Sequence, residues 1–192
     1  MAKVLWKPGT MLYPAPLALV SCGDSPANYN IITIAWAGTI CSDPPMVSIS
    51  VRPSRHSYEM IKRTCEFVIN LPNAKLAFAT DFCGVKSGRD LNKFEHLKLT
   101  PAKAEQVKAP LIDECPLSLE CRVTEIKPLG SHDMFLAAVL AIQADQKYLD
   151  KQTGALDLRA ADLICYSHGK YYALGKQLGF FGYSIQKKKK KR

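Results

Sequence analysis

The residues best suited to chemistry lie in one segment, Ser48–Ser57, where serine and arginine recur at short spacing. Its first half alternates apolar and polar side chains, which predicts a strand with one polar face, and its second half has serines of the kind that begin helices. Hydroxyl and guanidinium groups would converge there with exposed backbone N–H groups on an anion. The groups concerned are those of Ser50, Ser54, Ser57, Arg52 and Arg55. The segment predicts a phosphate site without a glycine-rich loop, although a plain helix cap and solvated arginines would give the same pattern.

Common nucleotide and metal motifs do not occur in the chain. No GxGxxG sequence follows a strand, GxSxG is missing, and Gly175-Lys176 is followed by Gln177 instead of Ser or Thr. The four histidines, at 56, 96, 132 and 168, are too far apart to share a helix face at i, i+4. The sequence therefore predicts neither a Rossmann fold, nor a P-loop, nor a sequence-local zinc site, and we expect no metal.

The composition is that of an ordinary globular protein of 192 residues, with 47% hydrophobic and 22% charged residues. Of its formal charge of +9, six positive charges lie in 187–192, and the other 20 lysines and arginines exceed the 17 acidic residues by three. We expect one domain over 1–186 and a disordered basic tail over 187–192. Nucleic acid, anionic lipid or an acidic partner remain possible ligands of this tail, with nucleic acid disfavoured. Without a membrane span or a signal peptide, a cytoplasmic location is expected.

The seven cysteines favour a reducing compartment, since their number is odd and no CxxC pair occurs. Most are predicted to be small buried hydrophobes. Cys83 allows a redox interpretation, but a helix-end thiol without a resolving partner favours a structural role.

Strands dominate the predicted elements. Asn30–Ile40 is rich in β-branched residues and predicts one strand, and Met46–Arg52 alternates cleanly. Ser54 is predicted to cap a helix that ends near Arg63, and Ser87 with Asp90 resembles a capping box. A last hairpin would turn at His168-Gly169. About six strands without βαβ repeats predict a mostly antiparallel β-barrel.

Seven stretches of the chain together resemble one family. They are Asn30–Gly38, Asp43–Pro45, Ser50–Ser57, Phe67–Pro72, Thr80–Gly84, Ser87–Asp90 with Lys93-Phe94, and Gly130–His132. Their order is similar to that of the flavin reductase-like family, on its flavoredoxin branch, over nearly all of residues 10–184. The resemblance implies an FMN-binding split β-barrel of Greek-key topology with short peripheral helices. It also implies a homodimer with flavin sites near the subunit interface.

The same resemblance implies roles for individual residues. Arg55 and Ser57 would hold the FMN phosphate, with Lys93 as a further cation. The isoalloxazine ring would be lined by Asn30, Thr33, Ala35 and Trp36 and by the backbone of Ser50, Val51 and Arg52. His132 would lie beside the flavin, where it would place the nicotinamide or supply a proton; the alternative is a turn histidine bonded to Asp133.

The predicted function is that of an FMN-dependent oxidoreductase, a flavin reductase that accepts hydride from NADH or NADPH and passes electrons to an acceptor. One alternative is a flavoredoxin-type electron-transfer protein, reduced by a redox partner protein and not by NAD(P)H. A second alternative is a non-enzymatic binding module with a basic tail. The acceptor and the nicotinamide preference are not determined by the sequence.

Overall fold

The computed structural model describes residues 1–185, and a curled antiparallel sheet forms its centre. In chain order the strands are β1 (Ala15–Pro16), β2 (Ala18–Cys22), β3 (Asn30–Ile34), β4 (Ala37–Ser42), β5 (Pro45–Val51), β6 (Glu66–Leu71), β7 (Pro101–Ala102), β8 (Leu111–Ile112), β9 (Leu117–Pro128), β10 (Asp133–Ala144), β11 (Ile164–Ser167) and β12 (Lys170–Ala173). Seven of them form the main sheet in the order β3-β2-β6-β9-β10-β5-β4. Every neighbouring pair is antiparallel, which confirms the predicted fold class.

Three short helices pack around this sheet: α1 (His56–Thr64), α2 (Ala77–Val85) and α3 (Lys93–Leu97). Single 3-10 turns occur at Pro26–Asn28, Ala74–Leu76, Gln146–Tyr148 and Tyr183–Ile185. In residues 1–185, none of the helices combines the length and the apolar character required to cross a bilayer. The predicted tail, 187–192, lies outside the described residues, so the domain boundary stays a prediction.

The two edge strands of the main sheet, β3 and β4, follow each other in the chain and are joined only by Ala35 and Trp36. The sheet must therefore curl until its edges meet at this link. The prediction of one strand over Asn30–Ile40 was wrong, because its first half pairs with β2 and its second half with β5. The backbone N–H of Ser50 donates to the Trp36 carbonyl at 2.8 Å and holds the link against β5.

The chain then crosses one end of the barrel instead of continuing to a neighbouring strand. β5 pairs with β10, whereas β6 pairs with β2 and β9, and α1 makes the connection between them. This crossover produces the expected Greek-key order.

Helix α1 covers that end of the barrel because one of its sides is apolar. Tyr58, Met60 and Ile61 are buried there with the side chains of Ile49 and Phe135. The Tyr58 ring meets Phe135 edge to face with 5.4 Å between centroids, and its hydroxyl donates to Asp133 at 2.5 Å. These contacts join α1 to β10, so the first turn of the helix has a fixed position beside the end of β5.

A second apolar cluster lies on the other face of β2 and β3. Leu19 and Ile31 pack there against Ala79 and Cys83 of α2 and Phe94 of α3. This packing places Lys93, the neighbour of Phe94, against the sheet.

Two predicted helix starts differ from the structure. Arg55, not Ser54, is the N-cap of α1, and it makes no side-chain cap hydrogen bond, because α1 is held by packing of its apolar side. Ser87 and Asp90 form a turn and not a capping box. The cap of α3 is Asn92 instead, whose side chain accepts hydrogen bonds from the N–H groups of Phe94 and Glu95. An Asn with two accessible backbone donors is the stronger cap.

The last hairpin agrees with the prediction. β11 and β12 pair around His168 and Gly169, whose φ angles of 48° and 80° suit a tight two-residue turn. β11 also pairs with β1, which brings Tyr166 toward the closing link of the barrel.

Candidate functional site

A cavity of about 420 Å³, here called the anion cavity, opens between the end of β5, the start of α1 and the segment that joins α2 to α3. Its lining contains five cationic side chains: Arg52, Arg55, Lys86, Arg89 and Lys93. Ser54, Ser57, Ser87 and Asn30 add polar groups, and within residues 1–185 no aspartate or glutamate lines this cavity. Such a set of donors suits a multiply charged anion.

Lys93 lies at the base of the anion cavity and is only 3% exposed. Its ammonium group donates to the carbonyls of Ile31 at 2.7 Å and Cys83 at 2.9 Å. Burial lowers the pKa of Lys93, and no carboxylate of residues 1–185 forms a salt bridge with it. Because a buried charge without a counter-ion is costly, an anion in the cavity would stabilise this group.

Asn30 and Ser57 form the polar wall beside Lys93. The Asn30 amide donates from Nδ2 to Ser57 Oγ at 2.8 Å, and the two residues are 4% and 1% exposed. Since Ser57 Oγ accepts this bond, its own hydrogen can be donated to an anion. Asn30, which is predicted to line the flavin ring, lies among the residues of the anion cavity and not among those of the neighbouring cavity at the closing link of the barrel.

Gly88 lets the α2–α3 segment approach this wall. A Cβ atom at position 88 would lie 2.1 Å from Asn30 Oδ1. Only a residue without a side chain fits against Asn30 there.

A second cavity, of about 260 Å³ and here called the ring cavity, adjoins the first at the closing link of the barrel. The two share Ile32, Arg52 and Arg55, so together they form one groove. The ring cavity is lined by Ile32, Thr33, Ile34, Ala35, Trp36, Ser50, Val51, Arg52, Arg55, His132 and Tyr166. Its wall is apolar along β3 and polar toward the end of β5, as a planar ring with one hydrogen-bonding edge requires.

Two of the predicted ring contacts are restricted by their surroundings, Thr33 by a hydrogen bond and Val51 by burial. The Thr33 hydroxyl donates to the Thr80 carbonyl of α2, so this hydroxyl is engaged in holding the helix. The Val51 side chain is 2% exposed within the core, so Val51 would contribute only backbone to the cavity. Trp36, by contrast, keeps 37% of its surface exposed and lies 6.3 Å from the Tyr13 ring, measured between centroids.

His132 lies in the ring cavity with the two shared arginines. Partial burial lowers its pKa, and the charges of Arg52 and Arg55 lower it further, which favours a neutral imidazole. Its Nδ1 is 2.9 Å from Ser131 Oγ. Within residues 1–185 no hydrogen bond joins His132 to Asp133, whose carboxylate accepts from the Tyr58 hydroxyl.

Sequence reasoning missed several lining residues. Lys86, Gly88 and Arg89 line the anion cavity, and Tyr166 lines the ring cavity. The stretch Ser87–Asp90 is interpreted from the sequence as a capping box and as part of the family pattern, and the glycine next to an arginine in it is the signal that could have indicated an anion site. Tyr166 could not have been assigned, since the pairing of β11 with β1 brings it to the site.

The cysteines near the site behave as structural groups. Burial raises the pKa of Cys83 to about 11 and that of Cys22 to about 12, so both remain thiols at neutral pH. All seven cysteines are free, and in the described chain no three His, Cys, Asp or Glu residues cluster as metal ligands. These observations favour the structural interpretation of Cys83.

A sequence model described as a flavin reductase like domain matches residues 10–175 of the chain. The chain belongs to the flavin reductase-like family. Family members bind FMN, and the family includes oxidoreductases.

Solved structures of this family resemble the chain closely. The flavoredoxin of Desulfovibrio vulgaris (Miyazaki F) is 30% identical, with a TM-score of 0.87 over 97% of this chain and 100% of that one. The flavoredoxin of Methanosarcina acetivorans is 25% identical, with a TM-score of 0.85 over 97% and 100%. A Shewanella frigidimarina structure described as having a split barrel domain is 23% identical, with a TM-score of 0.78 over 88% and 86%. The fold is thus the split barrel of flavin reductases.

Proposed function

We propose that the groove binds FMN and that the protein is an NAD(P)H-dependent flavin reductase. The observation that supports this best is that a cationic cavity adjoins a partly apolar one and shares Arg52 and Arg55 with it. FMN has the same two parts, a phosphate that needs several donors and a planar ring that needs an apolar slot. When bound, it supplies hydride acceptance and onward electron transfer.

The donor set fits the phosphate. Lys93 supplies a buried charge, Ser57 a hydroxyl oriented by Asn30, and Arg55 a guanidinium group at the start of α1. The positive end of the helix dipole adds to these donors. The ring cavity fits the isoalloxazine between β3 and the backbone of Ser50–Arg52.

His132 is proposed as the residue that orients the nicotinamide or supplies a proton. Its position in the ring cavity and its lowered pKa support a neutral imidazole that can accept or relay a proton near neutral pH. We propose no other acid or base for the site.

An electron carrier is the second candidate, and the two flavoredoxins among the similar structures favour it. The hypothesis of a non-enzymatic module depends on the 187–192 tail, which lies outside the described residues, and the groove supports the flavin functions instead.

Two measurements test these proposals. The purified protein should be yellow, or should take up added FMN with the spectrum of a bound flavin; a colourless protein that does not take it up would reject flavin binding. Stopped-flow mixing with NADH and with NADPH should bleach the flavin absorbance. If neither dinucleotide reduces the flavin at a useful rate, the electron carrier is the function that remains.

We also propose a homodimer with the flavin sites near its interface. The segment after β12 exposes Leu174, Leu178, Phe180 and Phe181, and large apolar side chains exposed in one segment are typical of a surface that another chain covers.

A further inference from the structure

The anion cavity contains more positive charge than one phosphate group can neutralise. A phosphate monoester has a charge of about −1.5 to −2 near pH 7. The cavity has five cationic side chains, and within residues 1–185 none of them forms a salt bridge. About three positive charges would therefore remain after the flavin phosphate is bound.

The five cations differ in depth and in position: Lys93 is buried, the other four are exposed, and of these four only Arg52 and Arg55 also line the ring cavity. Lys93 is 3% exposed at the base, next to the Ser57 hydroxyl. Lys86 and Arg89 are exposed, belong to the α2–α3 segment, and line the anion cavity without lining the ring cavity. Lys93, Ser57 and Arg55 are the donors proposed above for the flavin phosphate, so Lys86 and Arg89 are left for another group.

Arg89 is held over the cavity and retains donors for a ligand. Its Nη1 donates to the Ser54 carbonyl at 3.3 Å, which positions the guanidinium group across from the loop before α1. A guanidinium group has five N–H donors, so most of them stay available for a planar or tetrahedral oxyanion. Burial lowers the pKa of His56 most, and the charges of Arg89 and Lys93 lower it further. The second effect indicates a positive potential in this cavity.

We propose that Lys86 and Arg89 form a second phosphate site at the outer end of the anion cavity, which holds a phosphate group of the nicotinamide dinucleotide. This inference rests on the proposed reductase function for the source of the phosphate. The group is either the diphosphate that NADH and NADPH share or the 2′-phosphate that only NADPH has. Both present oxygens that a lysine and an arginine can bind together.

The test uses the FMN-loaded protein and the oxidised dinucleotides NAD⁺ and NADP⁺, so that no turnover occurs. Dissociation constants are measured by calorimetry for the wild type, for Lys86→Gln, for Arg89→Gln and for the double variant. A second double variant, Lys75→Gln with Lys127→Gln, removes two exposed charges outside the groove and serves as the matched control.

The Lys86→Gln/Arg89→Gln variant should weaken dinucleotide binding roughly tenfold or more, and the control should leave it within about twofold. An equal loss for NAD⁺ and NADP⁺ assigns the diphosphate, and a loss for NADP⁺ alone assigns the 2′-phosphate. Dinucleotide binding unchanged in the double variant would overturn the proposal. So would a tenfold loss of FMN affinity with riboflavin unaffected, since the two cations would then hold the flavin phosphate.

Failure of the reductase function itself gives a different result. If the wild-type protein with FMN bound takes up neither dinucleotide, inorganic pyrophosphate is the probe. Saturable pyrophosphate binding that the double variant loses would keep the second phosphate site and reject the reductase. No such binding would reject both.

Discussion

Asn30 and Ser57, which are 27 positions apart, form a buried hydrogen bond of 2.8 Å between the first residue of β3 and the first turn of α1. The bond joins the strand that lines the ring cavity to the helix that begins at the anion cavity. Because Gly88 lies so close to Asn30 that a Cβ at position 88 would overlap the same amide, three separate segments meet at Asn30.

Substitution of Gly88 by alanine should damage the phosphate wall. Its Cβ would overlap the Asn30 amide, so the bond to Ser57 should be lost and FMN should bind about twofold to tenfold more weakly. Riboflavin, which lacks the phosphate, should be affected less. Fluorescence titration measures both. Gly9→Ala is the matched control, since a Cβ there meets no atom within 4 Å; equal FMN affinity in Gly88→Ala and Gly9→Ala would contradict the prediction.

Substitution of Arg55 separates phosphate from ring binding. Arg55→Ala should remove a charge-assisted contact worth about 1.5–3 kcal/mol and weaken FMN by roughly tenfold to a hundredfold. Riboflavin affinity should barely change, and Arg55→Lys should restore part of the loss because an ammonium group lacks the planar fork. An equal loss for riboflavin would place the damage in the ring cavity or the fold.

Lys93→Met should affect both stability and binding. It leaves the carbonyls of Ile31 and Cys83 without the Lys93 ammonium as donor, so the free energy of unfolding should fall by about 1–3 kcal/mol. Part of this fall should be offset because the variant no longer buries a charge. The affinity for FMN should fall at least about tenfold, and the affinity for riboflavin should not change. Urea unfolding of the flavin-free protein and flavin titration check the two parts. A more stable variant with wild-type FMN affinity would show that Lys93 does not serve the phosphate.

His56 should report on phosphate binding. Burial, Arg89 and Lys93 hold its pKa below the ordinary 6.5, and a phosphate in the anion cavity should raise it because negative charge stabilises the imidazolium. NMR titration should show this rise with FMN and with inorganic phosphate, but not with riboflavin. The pKa of His56 is lower in the folded protein than in the unfolded chain, so the free energy of unfolding should fall as pH drops from 6.5 toward the folded pKa. Bound phosphate should make this fall smaller. A rise with riboflavin as large as with FMN would exclude the phosphate as its cause.

Sedimentation should show a dimer of the FMN-loaded protein, with about twice the 21.3 kDa of the chain. Phe181 is fully exposed in the single chain, so Phe181→Ser should shift the equilibrium toward monomer if the closing segment forms the interface. A wild-type species near 21 kDa at micromolar concentration would reject the interface site.

The local features of this protein are determined by short stretches of sequence. Alternation over Met46–Arg52 predicted β5, and His168-Gly169 predicted the last turn, because period and turn chemistry depend on near neighbours. The β-branched run over Asn30–Ile40 predicted extended backbone there, but not the break between β3 and β4. The proximity of Arg55 and Ser57 to a helix start was also predictable, since all three lie within a few residues.

Only the tertiary structure decided which distant residues share the groove. The sheet curls at Ala35 and Trp36, and this closure splits a run that locally resembles a single strand. Lys93 reaches the site because Phe94 packs on β3, and Asn30 meets Ser57 because α1 crosses the barrel end. Strand order and long-range packing fix these contacts, and no pattern of neighbouring residues encodes them.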